Sequence, residues 1–147
     1  MSLYKGLTIT LKLITIILFV SSLFFDAYTG HEGFIVLALG ALSFFGSPQL
    51  IAFFAWLANI FLFASFFVSK FSSLKLTLAI IAVFLGCLGY FVDELYTNEG
   101  GDTRNVKVAE GYFLWMSSII CNCILQFILI QKDDVIVYLS KFRKEVF

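Results

Sequence analysis

The sequence predicts an all-α integral membrane protein: a four-transmembrane-helix bundle with a short re-entrant or interfacial segment and a C-terminal amphipathic helix. Three observations lead there. Of 147 residues, 61% are hydrophobic and only 14% charged, with a mean hydropathy of +0.97, whereas soluble domains run near ~45–50% apolar and ~25% charged. Four stretches approach the roughly 20 apolar residues that a helix needs to cross hydrocarbon. Lysine and arginine alternate in abundance between the connecting loops, as the cytoplasmic excess of basic residues requires of a polytopic chain. The spans use most of the length, so residues 1–147 make one polytopic domain.

The first span runs from about Leu7 to Phe25. Bulky Phe stands where a signal-peptidase site needs small residues, so this segment reads as an uncleaved span. On these bounds Lys12 lies little more than a turn inside, within reach of the headgroups by snorkelling. Asp26 to Gly33 reads as a polar loop and carries the single histidine, His31, beside Glu32. Gly33 to Phe45 is apolar but too short for a span, which makes it re-entrant or interfacial. It closes at Gly46, Ser47 and the single proline, Pro48.

Leu50 to Val68 is the second span, interrupted by Asn59 and Ser65. The short basic turn from Lys70 to Lys75 makes its neighbours antiparallel. In the third span, about 76–92, Ala79, Ala82, Gly86 and Gly89 recur at offsets of three and four. Such a small-residue face lets helices approach closely, the packing device that lipid favours. A larger loop, Asp93 to Glu110, follows with Gly100-Gly101 as its flexible point.

The fourth span, 111–130, has no charge but carries Ser118, Asn122 and Gln126 at four-residue spacing, one polar stripe along a helix. Beyond it, residues 135–147 place apolar side chains at 135, 139, 142 and 146, with Lys141, Arg143 and Lys144 among the intervening residues. That pattern predicts a basic amphipathic helix on an anionic membrane surface.

Charge sets the topology. With four spans and both termini cytoplasmic, Lys5, Lys12, Lys70, Lys75, Lys132, Lys141, Arg143 and Lys144 lie inside, and Arg104 and Lys107 alone lie outside. Five spans would either spread these residues more evenly or export the basic tail, so the four-span arrangement fits better.

Reactive groups exclude most membrane chemistry. A proton-coupled exporter needs a carboxylate deep in a span, but Asp26, Glu32, Asp93, Glu94, Glu99, Asp102 and Glu110 sit at span ends or in outer loops. A thiol oxidase needs paired outer-loop cysteines, yet Cys87, Cys121 and Cys123 fall inside apolar segments. Cys121 and Cys123 diverge by about 200° on a helix and cannot share a metal. One histidine in a loop supports neither hydrolysis nor a metal centre. No catalytic residue, cofactor or metal is therefore expected, and no basic run suits nucleic acid.

The outer acids Asp93, Glu94, Glu99 and Asp102 read as hydrated loop residues, or as a face for a basic partner. The polar stripe, together with Asn59 and the small face of the third span, reads as glue between helices within or between chains. Its alternative is a pore lining where several copies share an axis. Tyr112, Trp115 and Trp56 near span ends read as interface anchors.

The run WLAN at Trp56–Asn59, followed after a helical hairpin by GYFLWMSS at Gly111–Ser118, resembles a group of small bacterial four-span membrane proteins with WLAN…GYxLW-type segments. Ile60 stands where that pattern has proline. The resemblance implies a bacterial inner-membrane protein and carries no activity with it. Taken together, the chain is expected to be a non-enzymatic membrane accessory or assembly protein whose partners are the bilayer and itself or another membrane protein. It would act by helix–helix contact, as a complex subunit, a homo-oligomer or an immunity-type inhibitor. The alternative function is a small oligomeric channel or transporter with the fourth span lining the path.

Overall fold

A backbone sheathed in apolar side chains has no water to bond, so each apolar stretch satisfies its own N–H and C=O groups by coiling. The computed structural model describes residues 2–41, 50–68, 72–96 and 102–146, the last of these from 132 onward by backbone alone. Five helices appear: α1 (Ser2–Ser22), α2 (Gly33–Leu39), α3 (Leu50–Phe67), α4 (Ser72–Leu88) and α5 (Glu110–Val146). Four contain a stretch long and apolar enough to cross a membrane: Tyr4–Ser22, Leu50–Phe67, Ser72–Phe91 and Glu110–Gln131.

The described residues are mostly helical, as the sequence predicts, with short strands confined to the loops. The loops hold two antiparallel hairpins, β1 (Asp26–Tyr28) with β2 (His31–Glu32), and β3 (Glu94–Tyr96) with β4 (Thr103–Asn105). At the first turn Gly30 takes a φ of +79°, open to glycine because it has no Cβ. The hairpins are joined: Thr29 N–H donates to the Lys107 carbonyl at 2.9 Å and Ala109 N–H to that of Ala27 at 3.0 Å, while Val106 N–H to Asp93 at 2.8 Å closes the base of the second hairpin. Short loops between helix ends still carry backbone groups that need partners, and here they pair with one another.

These strands cap one end of the bundle over a small core of Ala27, Tyr28, Val92 and Val106, packed by Val36, Ala52, Leu95 and Val108. Tyr28 O–H donates to the Gly89 carbonyl at 2.8 Å, tying the cap to the top of α4. Burial, and secondarily the neighbouring Tyr112, push the Tyr28 phenol well above the ordinary tyrosine range.

The cap also fixes the course of the chain. α1 ends under it, where Gly33 N–H bonds the Phe25 carbonyl and Phe34 N–H that of Leu23. α3 begins under it, since Ala52 packs on the cap core. Leu23 and Leu50 thus mark the same end of the bundle, and the seven-residue α2 lies between them. Trp56 of α3 holds α2 there, its indole N–H donating to the Leu37 carbonyl at 2.8 Å. Residues 42–45 of the expected segment lie outside the described residues.

α5 packs on α1 and α4, and α4 packs on α3. Phe19 of α1 meets Phe63 of α3 edge to face at 5.2 Å, closing the ring. α3 and α5 therefore face each other across the diagonal, both descending from the cap. Between them lies a core of Ala58, Leu62, Ala82 and Ile119.

Two element boundaries differ from expectation. The first apolar helical stretch runs Tyr4–Ser22 instead of Leu7 to Phe25, so Lys12 lies eight residues from its start, about 12 Å along the axis. The expected separate helix at 135–147 is instead the distal part of an unbroken α5 reaching Val146. Nothing in QKDDVIVYLSKFRKEV stops a helix, since it has no proline or glycine. The side chains of Lys141, Arg143 and Lys144 lie outside the described residues.

Two predictions follow from the cap. A Cβ at Gly111 would sit 2.6 Å from the Phe25 carbonyl oxygen and 2.8 Å from that of Asp26, whereas one at Gly6 meets nothing within 4 Å. Gly111→Ala is expected to lower stability by about 1–3 kcal/mol in detergent unfolding, and Gly6→Ala to leave it unchanged or slightly raised. Because the folded Tyr28 pKa lies above its unfolded value of 10.0, its contribution is complete below pH 10 and declines as pH rises toward the folded value. An unfolding series from pH 8 to pH 12 should show a steeper alkaline loss for wild type than for Tyr28→Phe.

Candidate functional site: a buried amide ladder

Ser118, Asn122 and Gln126 share one face of α5 because they are four residues apart. That face turns inward: the three are 0%, 0% and 3% exposed, and on α3 Asn59 and Ser65 are 6% and 0% exposed. Polar side chains among apolar neighbours need partners, and they find them across the diagonal.

The upper rung joins α3 to the start of α5. Trp115 donates its indole N–H to Asn59 Oδ1 at 2.8 Å, and Asn59 Nδ2 donates to the Trp56 carbonyl at 3.0 Å. About two turns below, Asn122 Nδ2 donates to Ser65 Oγ at 2.7 Å, and Ser65 Oγ donates to the Leu62 carbonyl at 2.7 Å. Gln126 Nε2 then donates to Asn122 Oδ1 at 3.0 Å. Ser118 remains local, its hydroxyl donating to the Trp115 carbonyl at 2.6 Å.

The order of donors is dictated by chemistry. The Ser65 hydroxyl proton is engaged by Leu62, so Asn122 must present its NH2 to Ser65 and its oxygen to Gln126. The Gln126 NH2 faces that oxygen, which leaves Gln126 Oε1 as the one buried side-chain oxygen without a donor among the described residues.

The small face of α4 also lies inside the chain. Ala79 and Ala82 are fully buried, and Gly86 and Gly89 are buried too. A Cβ on Gly86 would stand 2.9 Å from Met116 Sδ, and one on Gly89 2.8 Å from Tyr112 Cε2. Close approach of α4 to α5 thus depends on these positions.

The aromatic residues expected as interface anchors serve otherwise. Tyr112 is buried and donates to the Gly86 carbonyl at 3.2 Å. Trp115 and Trp56 give their N–H groups to Asn59 and Leu37. Their position near span ends suggested headgroups; the partner was legible only once the helices were set side by side. Thr15 of α1 was also missed, because its hydroxyl folds back onto the Leu11 carbonyl and needs no partner helix.

The outer acids do not converge. Asp93 and Asp102 are exposed, Glu94 is half-buried, and Glu99 lies outside the described residues. Among the described residues no group of three or more His, Cys, Asp or Glu gathers to hold a metal. Cys87, Cys121 and Cys123 are free thiols. Comparison with protein-family models, curated proteins and solved structures finds no match to this chain.

The ladder predicts unequal costs. Asn122→Leu strips the Gln126 amide of its acceptor and is expected to destabilise by about 1–3 kcal/mol. Gln126→Leu removes one bond together with an unmatched oxygen, so its cost should stay within about 1 kcal/mol. Unfolding of the two variants in mixed micelles measures the difference.

Proposed function

We propose that the protein is a non-enzymatic accessory or assembly protein of a bacterial inner membrane, multi-pass with both termini cytoplasmic, acting through helix–helix contact in the bilayer. The observation that carries this reading is the inward placement of Asn59, Ser65, Ser118, Asn122 and Gln126. Their bonds run within one chain, so the bundle holds itself together and turns apolar surface outward. Exposed Ile9, Ile16, Ile17, Phe67, Phe84 and Ile124 are typical of that surface, which suits lipid tails and the helices of other proteins.

The orientation rests on the basic residues. With the cap outside, Arg104 and Lys107 face out, while Lys5 and Lys75 fall at the opposite end. α5 spans about 55 Å, against about 30 Å of hydrocarbon. Its distal third then stands on the cytoplasmic side, where a subunit or an immunity-type inhibitor can be gripped. A channel lined by the fourth span has less support, because a pore between copies needs the amides on an outer face and they face α3.

Two measurements test the reading. Cysteine labelling in whole cells should reach Gln49→Cys from outside and Ser72→Cys only after the membrane is opened; the same side for both would defeat the four-span arrangement. Purified protein in liposomes should pass no potassium, protons or small fluorescent solutes above protein-free vesicles. A flux abolished by Asn122→Leu would replace this function with the channel.

A further inference from the structure

The ladder leaves the Lys12 side chain, near the middle of the first candidate span, pointing the other way. Lys12 is exposed on α1, the helix with the smallest buried share of the four candidate spans at 11%. Among the described residues nothing bonds or pairs with its ammonium.

Its depth follows from packing. Cys121 Sγ approaches the Leu11 carbonyl at 3.7 Å, and Cys121 lies midway along the apolar stretch Glu110–Gln131. Lys12 is therefore level with the middle of the bundle's apolar thickness. The four-carbon stem carries a charge about one turn, ~5.4 Å, toward the N-terminus. Half the hydrocarbon is ~15 Å, so roughly 10 Å remains between the ammonium and the headgroups. Snorkelling alone falls short.

The chain cannot supply the counter-charge from another copy. Its acids are Asp26, Glu32, Asp93, Glu94, Glu99, Asp102, Glu110, Asp133, Asp134 and Glu145. Those among the described residues belong to the cap end or to α5 beyond its apolar stretch, so a second copy, parallel or antiparallel, brings none of them to mid-depth. Around Lys12 the exposed residues Lys5, Ile9, Ile16 and Val20 recur at three- and four-residue spacing. They form a ridge able to pack along another helix.

We infer that this face of α1 docks a transmembrane helix of a different protein that carries a carboxylate at mid-bilayer depth, paired with Lys12. The inference rests on the accessory reading above and specifies its partner's chemistry.

The test uses the full chain in phosphatidylcholine vesicles with synthetic leucine–alanine helices of about 20 residues. One bears a central glutamate, one a central lysine and one a central leucine, and binding is read by fluorescence energy transfer. Wild type should bind the glutamate peptide about tenfold more tightly than the leucine peptide. Lys12→Leu should erase that preference, and Lys12→Glu should transfer it to the lysine peptide. An unchanged unfolding midpoint in both variants confirms that the bundle itself survives. Equal binding of the glutamate and leucine peptides to wild type would overturn the inference, leaving the ammonium to water and headgroups while the accessory reading stands. Self-association that needs Lys12 in the absence of peptide would overturn it too, by making a second copy the occupant. Solute flux, by contrast, strikes the accessory reading itself.

Discussion

Polar groups placed among apolar neighbours must be paired there, and the diagonal α3–α5 ladder is how this chain meets that constraint. Asn59, Ser65, Asn122 and Gln126 are expensive to bury alone and modestly favourable once bonded. Because donors and acceptors are directional, the ladder also selects one rotation and one register of α5 against α3. Apolar packing by Ala58, Leu62, Ala82 and Ile119 gains area but tolerates sliding; the Trp115–Asn59 and Asn122–Ser65 bonds do not. Gln126 Oε1 marks where the accounting of partners stops short.

The cap answers a second version of the same constraint. At the end of the bundle the chain turns between helices, and its backbone groups can no longer pair by coiling. They pair instead as short strands, with Thr29 and Ala109 stitching the two hairpins together. Tyr28 then couples the cap to α4 through the Gly89 carbonyl. The absence of a side chain at Gly89 leaves room for the Tyr112 ring and the Tyr28 hydroxyl, and the two hydroxyls reach the carbonyls of Gly86 in α4 and of Gly89 just beyond it. Cap and ladder meet at Tyr112, whose ring packs against Tyr28 on one side and Trp115 on the other.

Lys12 is the exception that gives the surface a direction. A lysine at the centre of a membrane helix costs about 2.5–3.5 kcal/mol on insertion scales, comparable to two or three ladder bonds. The bundle pairs its buried amides internally and turns the Lys12 ammonium outward.

The sequence alone determined the four apolar helices, the polar stripe of Ser118, Asn122 and Gln126, and the small face of Ala79, Ala82, Gly86 and Gly89. Each is local: hydropathy sums over a window, and residues three or four apart share a helix face whatever the rest of the chain does. Only the tertiary structure decided that Trp115 belongs to Asn59, that the loops pair as strands, that α5 runs on without a break and that Lys12 stands level with Cys121 of α5. Those depend on the rotation and register of helices distant along the chain. A difference of one turn there, about 5.4 Å, moves a side chain from headgroup to hydrocarbon without changing a single letter.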